Sequence, residues 1–178
     1  MTHMILSALL IVGLLGLTPR AWADPLSVAD VVASSAQQGN GPANTIDGDL
    51  NTRWSAQGAG ETITYSLSEC ATVTGLQIAW YQGNSRVATF EVEVSEDGET
   101  YTLVHSGDSS GNTLELQAVD VADTHACFVR IVGYGNSVNS WNSITEVVIE
   151  GTIPEPEPLM VPVPLSALEQ LCAPLLNP

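Results

Sequence analysis

Residues 42–55 form a short segment in which oxygen-bearing groups are crowded around a glycine. Asp47 supplies a carboxylate, Thr52 supplies a hydroxyl and a carbonyl, and Gly48 allows a sharp turn between them. Calcium takes about six to eight oxygen ligands of these kinds, so the segment predicts a site for a hard divalent cation. The other interpretation is an ordinary Asp-Gly turn without a metal. The predicted ligands in this loop are Asn44, Asp47, Asp49 and Thr52.

Two further segments combine aromatic, amide and guanidinium groups as a sugar-binding surface would. They are residues 80–86, WYQGNSR, and residues 133–142, GYGNSVNSWN. An aromatic ring offers an apolar platform for a sugar, and an arginine can hold a carboxylate with two parallel hydrogen bonds. The other interpretation places Trp54, Trp80 and Trp141 in the core, and the parity of Trp80 predicts that it is buried. The predicted ligand-binding residues are Tyr81, Arg86, Asn136, Trp141 and Asn142.

The elements that must position these loops are predicted to be β-strands, because apolar and polar residues alternate along the chain. A change of parity near Gly75 predicts a bulge, Asp97-Gly98 predicts a turn, and residues 107–112 predict a loop. No helical pattern of convincing length is present, so two packed antiparallel sheets, a jelly-roll sandwich, are expected. The predicted strands include residues 62–67, 73–80, 90–95, 114–117, 129–132 and 145–150.

The cation loop and residues 141–147 together resemble the signature of discoidin domains, also called coagulation-factor type C domains, over residues 26–151. Bacterial members are often family 32 carbohydrate-binding modules. The two polar loops look like those of modules attached to alginate lyases, down to the Tyr-x-Gly-x-x-Arg and Gly-x-Gly-Asn-Ser elements. The resemblance implies an all-β, galactose-binding-domain-like jelly roll that binds a uronic-acid-containing polysaccharide. It also implies a structural calcium ion, with Glu146 as a ligand that returns to the loop.

Composition narrows the choice of partners. The chain has 20 Asp and Glu residues against four Lys and Arg residues, a formal net charge of −16. Nucleic-acid affinity comes largely from Lys and Arg that neutralise phosphates, so a nucleic-acid partner is excluded. The scarcity of basic residues also argues against membrane insertion. The alternative function is a cell-surface adhesion or protein-interaction discoidin domain, since a fold does not fix a function.

No catalytic pattern accompanies these features, and the sequence predicts that the chain is not an enzyme. Residues 105–111, HSGDSSG, superficially resemble a serine-protease loop, but Ser110 stands where that loop has a second glycine. Glu91 and Glu93 share a strand face by period and are interpreted as a solvated edge, not as a glycosidase pair. No Gly-rich motif joins a strand to a helix, so no nucleotide cofactor is indicated.

The ends of the chain differ in composition from its centre. Residues 1–23 read as a secretory signal peptide with a small-residue cleavage site, although the missing basic residue before the apolar run leaves a signal anchor open. Residues 24–151 form the predicted domain and residues 152–164 a proline-rich linker. The apolar tail, residues 165–178, either begins a missing segment or docks on a partner or envelope surface. We therefore expect a secreted protein, with a catalytic domain or surface partner reached through the linker.

Three cysteines remain. Cys70 and Cys127 precede predicted strands, and export to an oxidising compartment favours a disulfide between them. The alternative is two buried thiols. Cys172 is left over in the tail as a free thiol or an intermolecular link. Arg130, inside a predicted strand, is expected to pair with a carboxylate.

Overall fold

Antiparallel β-strands account for most of the chain that the structure describes. The computed structural model describes residues 24–154, and the predictions made for residues 1–23, most of the linker, the tail and Cys172 lie outside this range. A short 3-10 helix, Pro42–Thr45, precedes the third strand. The strands are β1 (Asp24–Pro25), β2 (Val28–Ala33), β3 (Trp54–Gln57), β4 (Glu61–Trp80), β5 (Ala88–Ser95), β6 (Thr102–Asp108), β7 (Gln117–Asn136) and β8 (Trp141–Thr152).

The strands build a jelly-roll sandwich because β4 and β7 are long enough to take part in both layers. The first part of β4 pairs with β2 and with the second part of β7, which continues to β5 and β6. The remainder of β4 pairs with β8 and with the first part of β7, and β8 also carries β1 and β3. The β4–β7 ladder is interrupted between Ser66 and Ala71, where both strands pass from one layer to the other. The predicted all-β fold is confirmed.

The core lies between the layers and follows the predicted alternation. Ile63 and Tyr65 on β4 are fully buried, whereas Thr64 between them is half-buried. Each large apolar side chain that is fully buried contributes about 1.5–3 kcal/mol. Trp54 and Trp80 are buried as well, which confirms the prediction for Trp80. Within residues 24–154, no helix is long and apolar enough to cross a membrane.

Local irregularities occur where the sequence predicts them. The pairing of β4 shifts between Val73 and Gly75, by two residues against β7 and by one residue against β8, which confirms the bulge. At the predicted turn, the Asp97 carboxylate accepts hydrogen bonds from the backbone N–H groups of Thr100 and Glu99. These bonds stabilise the charged form and lower the pKa of Asp97 to about 2.

Two predicted element boundaries are wrong. Residues 114–116 form no strand, and Leu114 and Leu116 are exposed because β7 finds its partner in β4 only from Gln117 onward. Much of the predicted loop 133–142 belongs to the ends of β7 and β8, so residues 137–140 alone connect the two strands. The connection between β7 and β8 is therefore four residues long.

Predicted pairings across the sheet are largely confirmed. Cys70 and Cys127 form a disulfide, although they lie inside β4 and β7 where the layers change, not before strands. Arg130 contacts the Glu93 carboxylate through Nε at 2.7 Å. The interpretation of Glu91 and Glu93 as a solvated edge is wrong, because β5 lies between β6 and β7 and both side chains are half-buried. Glu91 accepts a hydrogen bond from the Tyr134 hydroxyl.

Candidate functional site

The loop between the 3-10 helix and β3 gathers its predicted oxygen ligands around one hydroxyl. Thr52 Oγ1 lies 2.7 Å from Asp47 Oδ2, 3.0 Å from the Asp49 carbonyl oxygen and 3.3 Å from that of Asn44. The Thr52 backbone N–H also donates to the Asp49 carbonyl. One carboxylate oxygen and two carbonyl oxygens therefore lie within 3.3 Å of the Thr52 hydroxyl.

Glu146 reaches this loop from β8, as the family resemblance implies. The backbone N–H of Gly48 donates to Glu146 Oε2 at 3.0 Å, and Gly48 can present this N–H because it adopts the left-handed region, with φ at +75°. Glu146 is 9 % exposed. Burial raises the pKa of Glu146, the charge of Asp47 raises it further, and the Gly48 bond opposes both effects.

The donor set fits calcium. It offers two carboxylates and several neutral oxygens, which are the ligands of a hard cation. Within residues 24–154 no three or more His, Cys, Asp or Glu side chains gather where they could hold a metal ion, so a cation here would depend on carbonyl and hydroxyl oxygens as well as on carboxylates. Within the same range no basic side chain forms an ion pair with Glu146. A bound cation would therefore supply the positive charge that this pair of carboxylates lacks.

A second group of side chains surrounds Tyr81, the first residue after β4. The guanidinium carbon of Arg53 lies 4.2 Å from the centre of the Tyr81 ring, and that of Arg86 lies 5.7 Å from it. Arg53 Nε also donates to Ser55 Oγ at 3.0 Å. Neither arginine forms an ion pair with a carboxylate of the described chain. Two positive charges thus meet at one ring without an internal counter-ion.

Backbone contacts hold this arginine cluster, defined as Arg53, Tyr81 and Arg86, in place. The Tyr81 N–H donates to the Ser143 carbonyl of β8, and the Arg86 N–H donates to the carbonyl of Gln82. Among residues 24–154, Gln82 is the one residue other than glycine with a positive φ, 55°. Such backbone strain is found preferentially at functional sites. The loop that carries Arg86 therefore begins with a backbone conformation that is uncommon for a residue other than glycine.

Trp141 lies on the same face of β8 as Ser143, whose carbonyl oxygen accepts the Tyr81 N–H. It is paired with Gln57 of β3, and Ser143, two residues along β8, is paired with Ser55. Residues two apart on a strand point to the same side, and the hydroxyls of Ser55 and Ser143 are 2.8 Å apart. Trp141 is half-buried, so part of its ring remains exposed on the face of the sheet that also carries Ser55.

Asn136 and Asn142 are used within the fold. The Asn136 amide donates to the Trp141 carbonyl and to Asn139 Oδ1, and its oxygen accepts two backbone N–H groups. Asn142 is 4 % exposed, donates to the Gly58 carbonyl at 2.7 Å and accepts from the Gly135 N–H at 2.7 Å. These placements argue against direct ligand contact by either asparagine.

The sequence did not predict that Arg53 lies beside Tyr81. Arg53 directly follows Thr52, the last predicted oxygen ligand of the cation loop, and was given no role of its own. A signal was present, because Trp54 is a strongly apolar residue at the start of a strand and must point inward. Its neighbours, Arg53 and Ser55, then point to the opposite side.

The F5/8 type C domain family model matches residues 30–147. The chain belongs to this family. Among solved structures, it is 46 % identical to the CBM32 of AlyQ in complex with 4,5-unsaturated mannuronic acid, covering 71 % of this chain and 97 % of that one, with a TM-score of 0.69. It is 45 % identical to a truncated AlyQ with CBM32 and alginate lyase domains, covering 74 % of this chain but 34 % of that one, with a TM-score of 0.71.

A pectin-binding carbohydrate-binding module shares the fold of this F5/8 type C chain at 24 % identity, with coverage of 74 % and 96 % and a TM-score of 0.67. No curated protein sequence matched. The chain therefore resembles carbohydrate-binding modules of family 32, a class of non-catalytic domains.

Proposed function

We propose that the chain is a non-catalytic module that binds a uronic-acid-containing polysaccharide and carries a structural calcium ion. The observation that supports this most is the arginine cluster, in which two guanidinium groups without a carboxylate partner in the described chain flank one ring. The similar CBM32 of AlyQ was solved with 4,5-unsaturated mannuronic acid, a uronate. Both facts favour an acidic sugar.

The chemistry of recognition follows from the side chains at the cluster. A guanidinium can form two parallel charge-assisted hydrogen bonds with a carboxylate, and each such bond contributes about 1.5–3 kcal/mol. Tyr81 holds the arginines, so the half-buried Trp141 is the better platform for the apolar face of a sugar ring. We assign ligand binding to Tyr81, Arg86 and Trp141, and we add Arg53.

The calcium ion would connect distant parts of the chain. Its proposed ligands are the loop oxygens of Asn44, Asp47, Asp49 and Thr52 together with the Glu146 carboxylate, and Glu146 lies on the last strand. The ion would neutralise two carboxylates and close the loop against β8. Its role is structural, since none of the assigned sugar-binding residues is among these ligands.

Export and attachment to a second domain complete the proposal. A disulfide between Cys70 and Cys127 is typical of proteins that fold in oxidising compartments. In the truncated AlyQ structure a CBM32 accompanies an alginate lyase domain. By analogy, the module would act outside the cytoplasm and deliver a catalytic or surface partner to its polysaccharide.

Titration calorimetry with alginate and with a neutral galactan tests the sugar assignment. We expect the wild type to bind alginate and Arg86→Ala to bind it at least about tenfold more weakly while keeping its melting temperature. Arg130→Gln is the charge-matched control, because Arg130 is paired with Glu93 elsewhere on the domain. Unchanged alginate binding by Arg86→Ala, or a preference of the wild type for the galactan, would refute the uronate assignment.

A further inference from the structure

The two arginines of the cluster differ in how many donors they have free. Arg53 uses Nε for Ser55, which leaves its two terminal nitrogens for a ligand. The Arg86 guanidinium donates no hydrogen bond to any residue from 24 to 154. Each guanidinium therefore retains a pair of donors that suits one carboxylate.

The Tyr81 ring sets the separation of the two charges. From their distances to its centre, the two guanidinium carbons lie within about 10 Å of each other. A ring that contacts both cations partly offsets their mutual repulsion, so the pair persists without an internal acid. Both arginines are half-buried, and each is held by contacts on its own segment.

A carboxylate that pairs side by side with one guanidinium leaves the other guanidinium without a partner. It has two oxygens, and a bidentate pairing with one guanidinium uses both of them. The second guanidinium then keeps an unpaired charge. Two carboxylates on separate sugar rings of a polyuronate can each pair with one of the two guanidinium groups. A ligand of this kind neutralises both charges at once.

We infer that Arg53 and Arg86 form a two-site clamp for consecutive uronates, so that the module recognises a run of at least two acidic sugars. This inference rests on the proposed function, and it adds Arg53 as a specificity-determining residue. The ligand class is a uronate oligomer in which adjacent rings both carry carboxylates. An isolated acidic residue among neutral sugars would engage half of the clamp.

Calorimetry with mannuronate monomer, dimer and trimer tests the clamp. We expect the wild type to bind the dimer at least about tenfold more tightly than the monomer, and the trimer little better than the dimer, because a second charge-assisted pair is added once. Arg53→Ala should lose the gain from monomer to dimer and change monomer affinity by less than about threefold. Arg53→Lys should restore part of the gain, since it keeps the charge without the planar pair of donors.

Arg130→Gln is the control, with the melting temperature of every variant measured in parallel. The clamp is refuted if the wild type binds monomer and dimer equally, or if Arg53→Ala retains the full gain. Either result leaves uronate binding itself in place. Absence of binding to every uronate would instead refute the proposed function together with the clamp.

Discussion

Glu146 is a buried acid whose charge has no basic partner in residues 24–154. Burial and the nearby Asp47 raise its pKa, in that order of importance, against the opposing Gly48 N–H. Because its folded-state pKa lies above the ordinary value, the folded protein without a cation takes up a proton more readily than the unfolded chain. Its contribution to stability is therefore lost as the pH rises through the folded-state pKa.

Bound calcium should offset the cost of burying the charged Glu146 side chain. A ligand that binds only the native state adds about 2.7 kcal/mol when its concentration is a hundredfold above Kd. We expect the melting temperature to fall clearly on chelation with EDTA at pH 7 and to recover in millimolar calcium. Superimposable thermal curves under the two conditions would contradict a calcium site.

Glu146→Gln should act in opposite directions with and without the cation. In EDTA at pH 7, the variant should melt at or above the wild-type temperature, because it removes a buried charge and can still accept from Gly48. In millimolar calcium, it should melt below the wild type because a ligand is lost. Differential scanning calorimetry in both buffers measures the two signs, and a variant that melts lower in both would point to packing alone.

Asn142→Ala should affect stability. The substitution leaves the buried Gly135 N–H and Gly58 carbonyl without the partner they have now, and each unsatisfied group costs about 1–3 kcal/mol. Urea denaturation should show this loss. Alginate titration at a temperature where the variant is folded should show near-wild-type affinity. A selective loss of affinity would instead restore Asn142 as a ligand-binding residue.

Residue roles were predictable from sequence to different depths. Four of the five predicted cation ligands share one short loop, so their proximity follows from local spacing, whereas Glu146 was implied only by the family resemblance. Tyr81 and Arg86 likewise belong to one loop, and their cluster was incomplete because Arg53 joins it only through the pairing of β3 with β8. Asn142 has the composition of a binding residue, but its burial depends on Gly133, where a Cβ would lie 2.3 Å from the amide oxygen of Asn142.

At the scale of elements, β4 and β7 hold the two layers together by belonging to both. Each of these strands spans 20 residues, and the disulfide joins them where their ladder is interrupted. A covalent link at this position prevents the layers from separating at their common corner. Loss of the disulfide should therefore destabilise the whole sandwich.

The Cys70→Ser, Cys127→Ser double variant should unfold at lower urea concentration. The cysteines are 57 residues apart in sequence, and closing a loop of that length contributes about 4 kcal/mol in the chain-entropy model. Equilibrium urea denaturation of both proteins measures the difference. A shift below about 0.5 kcal/mol would show that the corner is held by packing.

Strand prediction succeeded where one face of a strand is buried over several residues. The alternation in β4 and β5 is long enough to identify a period of two. It failed at residues 114–116, where two leucines alternate with polar residues but have no partner strand. β2 and β3 were not predicted, because β2 is exposed along much of its length and β3 has only four residues.

At the scale of the whole molecule, the acidic surface opposes an acidic polymer at long range. The formal net charge is −16, and screening acts over about 10 Å at 0.1 M salt. We expect alginate affinity to rise from low salt to about 0.1 M as this repulsion is screened, and then to fall as the arginine contacts weaken. Calorimetry over a salt series measures the maximum, and a steady fall from the lowest salt would contradict it.

Within residues 24–154, Arg53 and Arg86 are the arginines without an ion pair, and both contact the ring of Tyr81. The unpaired positive charge is therefore concentrated at one place on a protein whose formal net charge is −16. If the domain binds a polyuronate through this cluster, the rest of its acidic surface would repel other copies bound nearby on the same strand. We expect bound copies to space themselves along the strand, so that the polymer saturates below the density that the size of the domain alone would allow.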